Sequence, residues 1–203
     1  KGKQMTVRTS KAPGFGPVGI MRYVLPTTVF LKLRDIGQKV LPPYEEQFLE
    51  VPMAEVQGEA YRRMQSILVQ ELKHALVLHD NSLLGVVMNV LLAWPDCAFR
   101  FESVQHPRTR KVLYSQPAVF SEGESSPKEL ELLRICKEEK ANGRRVLAYS
   151  IYSGTRDTTA RLKSQLEQEG LKVGVLRASV DAARREDWVA DQVERGIDVM
   201  ICN

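Results

Sequence analysis

The chain has 203 residues, 43% hydrophobic and 27% charged, with a formal net charge of +4. That balance excludes a disordered segment, and the longest apolar run, Leu83–Trp94, is too short to cross a bilayer. The expectation is a globular chain of one domain, or a domain with a subdomain, with no membrane and no secretory leader.

The charge is unevenly spread. Residues 1–40 hold eight Lys/Arg and one acid, residues 41–143 hold eleven and fifteen, and residues 144–203 hold ten and nine. The basic first segment suits a phosphate backbone, or equally a solvated linker. Its Lys11-Ala-Pro-Gly-Phe-Gly-Pro17 run breaks helices, so residues 1–40 read as a linker or edge segment. Pro42-Pro43 is a further break, and Glu45–Val51 reads as one strand ended by Pro52. Residues 53–79 carry an apolar stripe (Met53, Val56, Ala60, Met64, Leu68, Leu72, Ala75, Leu76) at helical spacing, which predicts a long amphipathic helix. Asn81-Ser82 can cap a second helix to about Ala93, apolar almost all round and so expected to be buried, and Pro95-Asp96 ends it. Residues 97–126 read as irregular, with short strands near Phe99–Phe101 and Val112–Tyr114. Residues 41–126 are therefore taken as a strand with a helical subdomain and an irregular insertion.

From residue 127 the pattern changes. Pro127 opens a helix to about Lys140, with Leu130, Leu133 and Ile135 as its apolar face and Asn142-Gly143 as its stop. Three short apolar runs, Val146–Tyr149, Leu171–Leu176 and Ile197–Cys202, then alternate with two helix-length polar segments. Strand–helix–strand–helix–strand calls for a parallel sheet with helices packed on it, in which Trp188, Val189 and Val193 face the sheet. Ligands of such sheets bind beyond the carboxyl ends of the strands. The third strand ends the sequence where the next functional loop belongs, so the chain reads as part of a larger machine.

The turns at those ends carry the candidate chemistry. After the first strand stand Ser150, Ser153, Thr155 and Arg156, hydroxyls and a cation beside a helix N-terminus, a combination suited to phosphate. Ser153 or Thr155 could equally be a helix cap. After the second strand come Arg177, Ser179 and Asp181, with Arg184 and Arg185 at the start of the next helix, where cations are mildly unfavourable unless an anion or carboxylate meets them. Pairing with Asp181 or Asp187 is the alternative. His74, His79 and His106 have no metal-pair spacing and read as incidental, and the three cysteines, Cys97, Cys136 and Cys202, form neither a disulfide framework nor a zinc knuckle, which points to a reducing cytoplasm. The sequence contains no Gly-x-x-x-x-Gly-Lys-Ser/Thr loop and no recognisable Ser/His/Asp or Cys/His set, so no catalytic residue is assigned.

Val146-Leu-Ala-Tyr-Ser150 resembles helicase motif IV, which opens the second RecA-like lobe of superfamily 2 ATPases. Leu166-Glu-Gln-Glu-Gly170, Leu176-Arg-Ala-Ser179, Arg185 and Asp198–Asn203 follow the layout of the Swi/Snf-type branch, and Leu31-Lys-Leu-Arg34 with Val40–Glu46 looks like the entry to that lobe. Ala178 and Ala148-Tyr149 depart from the usual residues, as in a divergent, prokaryotic member. The resemblance implies an α/β fold: a partial RecA-like lobe over 127–203, with a parallel three-layer α/β/α core and an N-terminal helical subdomain. It implies that ATP and Mg²⁺ belong to the intact parent, held by the first RecA-like lobe of the same parent chain, with none bound by this chain alone. It further implies that Ser150, Ser153, Arg156, Arg177, Ser179 and Arg185 contact DNA, or alternatively RNA, through phosphates. Two other readings stand beside it: a non-catalytic protein-interaction module using the long helix, and a small α/β enzyme acting on a phosphorylated metabolite.

Overall fold

The computed structural model describes residues 16–31, 45–152, 154 and 156–203. The chain divides into two compact units, Lys1–Phe48 and Leu49–Asn203. In the first, a short helical run starts at Pro17–Gly19 (α1), widens into a π-turn over Ile20–Val24 and tightens over Leu25–Thr27. Pro17 takes the first helical position, where its missing N–H costs nothing, so helix begins at the last proline of the breaker run. No residue of this run is buried. The expected strand at Glu45–Val51 does not form: residues 45–54 join no ladder, and Glu45–Glu50 are exposed. An extended segment without a neighbour leaves its backbone to water. Most of the expected lobe entry, Leu31–Arg34 and Val40–Glu46, lies outside the described residues.

The second unit holds two hydrophobic cores. The first is built by α2 (Glu55–Val77), α3 (Ser82–Ala93) and an antiparallel hairpin of β1 (Glu102–Gln105) and β2 (Val112–Gln116). Ala60, Met64 and Leu68 of α2 meet Val87 and Val90 of α3, Trp94, Ala98 and Val104. Complete burial of a side chain the size of Met64 or Leu68 contributes about 1.5–3 kcal/mol. The α2 stripe is rotated from the expected one: Gln57 is buried and its Nε2 donates to Pro95 O at 2.9 Å, whereas Val56 and Leu76 are exposed. The α3 helix is covered on one side only, for Leu84, Met88 and Leu92 face outward. Asn81 stands at its N-cap without the expected side-chain cap; Asp80, one residue earlier, accepts from Ser82 N at 2.8 Å instead. The insertion is thus an ordered hairpin, its first strand lying beyond the expected Phe99–Phe101. His106 has a structural role in its turn: Nδ1 accepts from the backbone N–H groups of Arg108 and Thr109.

The second core belongs to the parallel sheet. Here α4 (Pro127–Ala141), β3 (Val146–Tyr149), α5 (Thr158–Gln168), β4 (Val173–Leu176), α6 (Arg185–Glu194) and β5 (Val199–Cys202) follow in order. The strands lie side by side as β3-β5-β4, all parallel. This is a mixed α/β architecture with a three-stranded parallel sheet among helices. Val146, Ala148, Val173, Val175, Val199 and Ile201 point to one face, against Leu132, Leu133 and Cys136 of α4 and Leu162 and Leu166 of α5. The α4 face therefore runs through Leu132 and Cys136, and Leu130 is exposed. Ser126 and Glu129 close a capping box at its start. On the opposite face α6 lies over Gly174, where an added Cβ would stand 2.6 Å from Ile197 Cδ1 and 3.4 Å from Trp188. Val193, expected to face the sheet, is exposed, as are Leu147 and Tyr149 on the same face of β3.

Polar contacts tie α5 to α4 within the second core and join that core to the first. Arg161, 8% exposed, donates Nε to Glu129 Oε1 at 2.6 Å and Nη2 to Glu124 O at 2.5 Å, with its guanidinium 4.5 Å from the Phe99 ring centre. Lys128 Nζ reaches Asp96 Oδ1 at 2.7 Å, and Arg156 Nη2 reaches Glu102 Oε1 at 3.0 Å.

Candidate functional site at the carboxyl edge of the parallel sheet

The three strands end level, Tyr149 and Leu176 both standing in register with Cys202. Beyond them, as the sequence pattern requires, lie the turns with candidate chemistry. Ser150 continues β3, its backbone N–H donating to Cys202 O at 2.8 Å. Its Oγ is 2.8 Å from Thr158 Oγ1, and Thr158 Oγ1 donates to Tyr152 O at 2.8 Å. A hydroxyl has one proton to give. With the Thr158 proton on Tyr152 O, Ser150 is the donor of the pair and has only lone pairs left to offer. A phosphate oxygen at this point has to draw the Ser150 proton away from Thr158. The cap of α5 is Asp157, in the left-handed region at φ 45°, with Oδ1 accepting from Ala160 N. Ser153 and Thr155 lie outside the described residues.

Ser150 and Thr158 line a pocket of about 330 Å³. Leu132, Ala148 and Leu162 also line it, as do Tyr152, Phe99 and the Lys128–Asp96 pair. Of these only Ser150 was singled out from sequence. Thr158 and Lys128 come from helix starts, where hydroxyls and charges are ordinary, and Phe99 comes from a segment far off in the chain, so no local signal marked them.

The cations divide into two groups. Arg156 donates to both oxygens of Glu102 and to Asn89 Oδ1, and its side chain is 17% exposed. Its charge is met inside the unit, by a carboxylate rather than a phosphate. After β4 the situation differs. Arg177, Ser179, Arg184 and Arg185 are exposed, and none of the three arginines has an ion-pair partner among the described residues. Asp181 caps its own turn, Oδ1 accepting from Ala183 N at 3.0 Å, and Arg185 Nε donates to Val180 O at 3.3 Å. The structure thus places Ser150 and Arg156 after one outer strand of the described sheet and Arg177, Ser179 and Arg185 after the other, with β5 between.

Asp96 and Glu129 are both spent on cations, and among the described residues no group of three or more His, Cys, Asp or Glu side chains is gathered for a metal. No described helix is long and apolar enough to cross a membrane. Cys97 and Cys136 are buried thiols, pushed up by burial to about 12 and about 11 respectively. No family model matches the chain, and no curated protein matches its sequence.

Proposed function

We infer that the chain supplies the second motor lobe of an ATP-dependent DNA helicase or translocase of the Swi/Snf type, a partial RecA-like lobe with a helical subdomain. The observation that carries this reading is the set of exposed groups after β4: Arg177, Arg184 and Arg185, without ion-pair partners among the described residues, beside the Ser179 hydroxyl. Cations placed at a helix start, where the helix dipole disfavours them, suit an anionic partner. Contacts to phosphates position a strand without reading its sequence. In this reading ATP and Mg²⁺ sit on the first lobe of the parent, and the chain works in the cytoplasm. Closure of the lobes over bound ATP moves the β4-side contacts along the strand.

The test is binding of the purified chain to labelled single- and double-stranded DNA, and to RNA, over a salt series. Affinity should fall as salt rises, and Arg177→Ala or Arg185→Ala should each reduce the slope of log affinity against log salt by about 0.7–0.9. Salt-independent binding, absence of binding at low salt, or robust ATP turnover by the chain alone overturns the reading. A second reading, a protein-interaction module, draws on the outward apolar groups of α3 and β3, Leu84, Met88, Leu92, Leu147 and Tyr149. It predicts that DNA leaves the thermal stability of the chain unchanged.

A further inference from the structure

The pocket at the β3 end and the cations after β4 have opposite chemistry. Beyond the backbone contacts, and independently of them, we propose that the pocket binds an uncharged planar heterocycle that donates an N–H to Ser150. Its volume of about 330 Å³ lies at the small end of the ligand-pocket range. Leu132, Ala148 and Leu162 provide apolar wall, and Phe99 and Tyr152 add aromatic surface for a flat ring. The polar complement then selects the ring. Among the described lining residues the one ammonium, Lys128, is neutralised by Asp96 at 2.7 Å, and the Glu129 carboxylate is met by Arg161 at 2.6 Å. Among the described lining residues, an anion entering here meets two carboxylates and no uncommitted cation. The chain of hydroxyls running from Ser150 through Thr158 to Tyr152 O leaves Ser150 as an acceptor. The ligand must therefore bring the donor, as the amino edge of a nucleobase does. Such a ring can arrive as a free nucleoside or as an unstacked base of a bound strand.

The test uses the full chain with adenosine, with purine riboside (the same ring lacking the amino donor) and with inorganic phosphate, by calorimetric titration at low and high salt. Adenosine should bind with an affinity unchanged by salt, and purine riboside about two- to tenfold more weakly, the worth of one neutral hydrogen bond. In Ser150→Ala the two should bind alike. Leu132→Phe, which fills the pocket, should abolish both; should that variant not fold, the comparison of the two ligands in wild type and Ser150→Ala decides alone. Displacement of adenosine by a single-stranded oligonucleotide assigns the ring to a bound strand, and its persistence assigns a free ligand; both outcomes support the pocket. Binding of phosphate without adenosine, binding of neither, or an amino preference that survives Ser150→Ala overturns the proposal. None of these results touches the salt slope set by Arg177 and Arg185, so the two readings fail separately.

Discussion

Arg161→Ala is the most demanding perturbation of this architecture. The guanidinium and the Glu129 carboxylate are 8% and 11% exposed, so the pair is effectively withdrawn from water. Removing one member of a buried pair costs about 3–5 kcal/mol, because the other charge is left without compensation. Two local terms adjust that figure in opposite directions. Glu129 keeps the Ser126 N–H at 2.6 Å and the Gln165 amide as donors, which softens the loss. The contact of Arg161 with the Phe99 ring, worth about 1 kcal/mol when desolvated, is lost as well. The expected destabilisation is thus about 3–4 kcal/mol, a large share of the 5–15 kcal/mol typical of a domain. Urea unfolding followed by tryptophan fluorescence measures it, with Trp94 in one core and Trp188 over the sheet reporting each part. Adding Glu129→Gln to Arg161→Ala removes the stranded charge and should recover about 1–2 kcal/mol. A single-variant loss below about 1 kcal/mol, or no recovery in the double variant, refutes the assignment of Arg161 and Glu129 as a buried pair that ties α5 to α4. The exposed Arg134, despite bonds to both Glu131 and Glu138, should tolerate replacement by alanine with no measurable loss.

Further predictions concern the sheet and its thiols. Gly174→Ala should cost about 1–3 kcal/mol in urea unfolding, since the new Cβ at 2.6 Å from Ile197 Cδ1 forces the buried Ile197 aside. Burial raises the Asp198 carboxyl, but hydrogen bonds from Lys140 Nζ and Lys172 N–H outweigh it and hold the group below the ordinary value of 3.8. A depressed carboxylate stabilises the fold above its unfolded value, and that contribution is lost as pH falls through the folded one. Asp198→Asn should accordingly flatten the acid limb of stability below about pH 4, as followed by unfolding at stepped pH. Of the three cysteines, partly exposed Cys202 should react with a thiol reagent in the native protein, while buried Cys97 and Cys136 should react only after unfolding.

The parallel sheet was legible because each strand is a short apolar run between helix-length polar segments. Val199–Cys202, buried on one face and half-buried on the other, is apolar throughout, so composition marks it. Of the hairpin, β2 was legible, since it contains the expected Val112–Tyr114, but β1 was not, for the converse reason. In Glu102–Gln105 only Val104 is buried, so no alternation marks the strand. The amphipathic stripe of α2 was readable to within a fraction of a turn, but Gln57 gains its burial from Pro95 O, thirty-eight positions on, and no local pattern encodes that partner. Arg156 shows the same limit at the candidate site: its neighbours suggest phosphate, whereas its contacts are Glu102 and Asn89. Apolarity around the whole of α3 suggested a fully enclosed helix, but with α2 and the hairpin on one side, Leu84, Met88 and Leu92 remain outward.

The arrangement of charge separates two sorts of binding along a single edge. Arg156 just before α5 and Arg161 within it turn back into the unit and are consumed by Glu102 and Glu129. Their use as pins takes positive charge away from the β3 end and leaves a pocket whose charged groups are paired. Among the described residues nothing comparable occurs after β4, where Asp181 caps its own turn instead of meeting Arg184 or Arg185. Salt discriminates the two ends, because screening weakens contacts between exposed charges and leaves a neutral, partly enclosed hydrogen bond almost unaffected. A partner that engages both ends at once should therefore lose affinity with rising salt only down to the floor set by the β3 pocket. Arg177→Ala should lower the slope without lowering that floor, and Ser150→Ala should lower the floor without changing the slope.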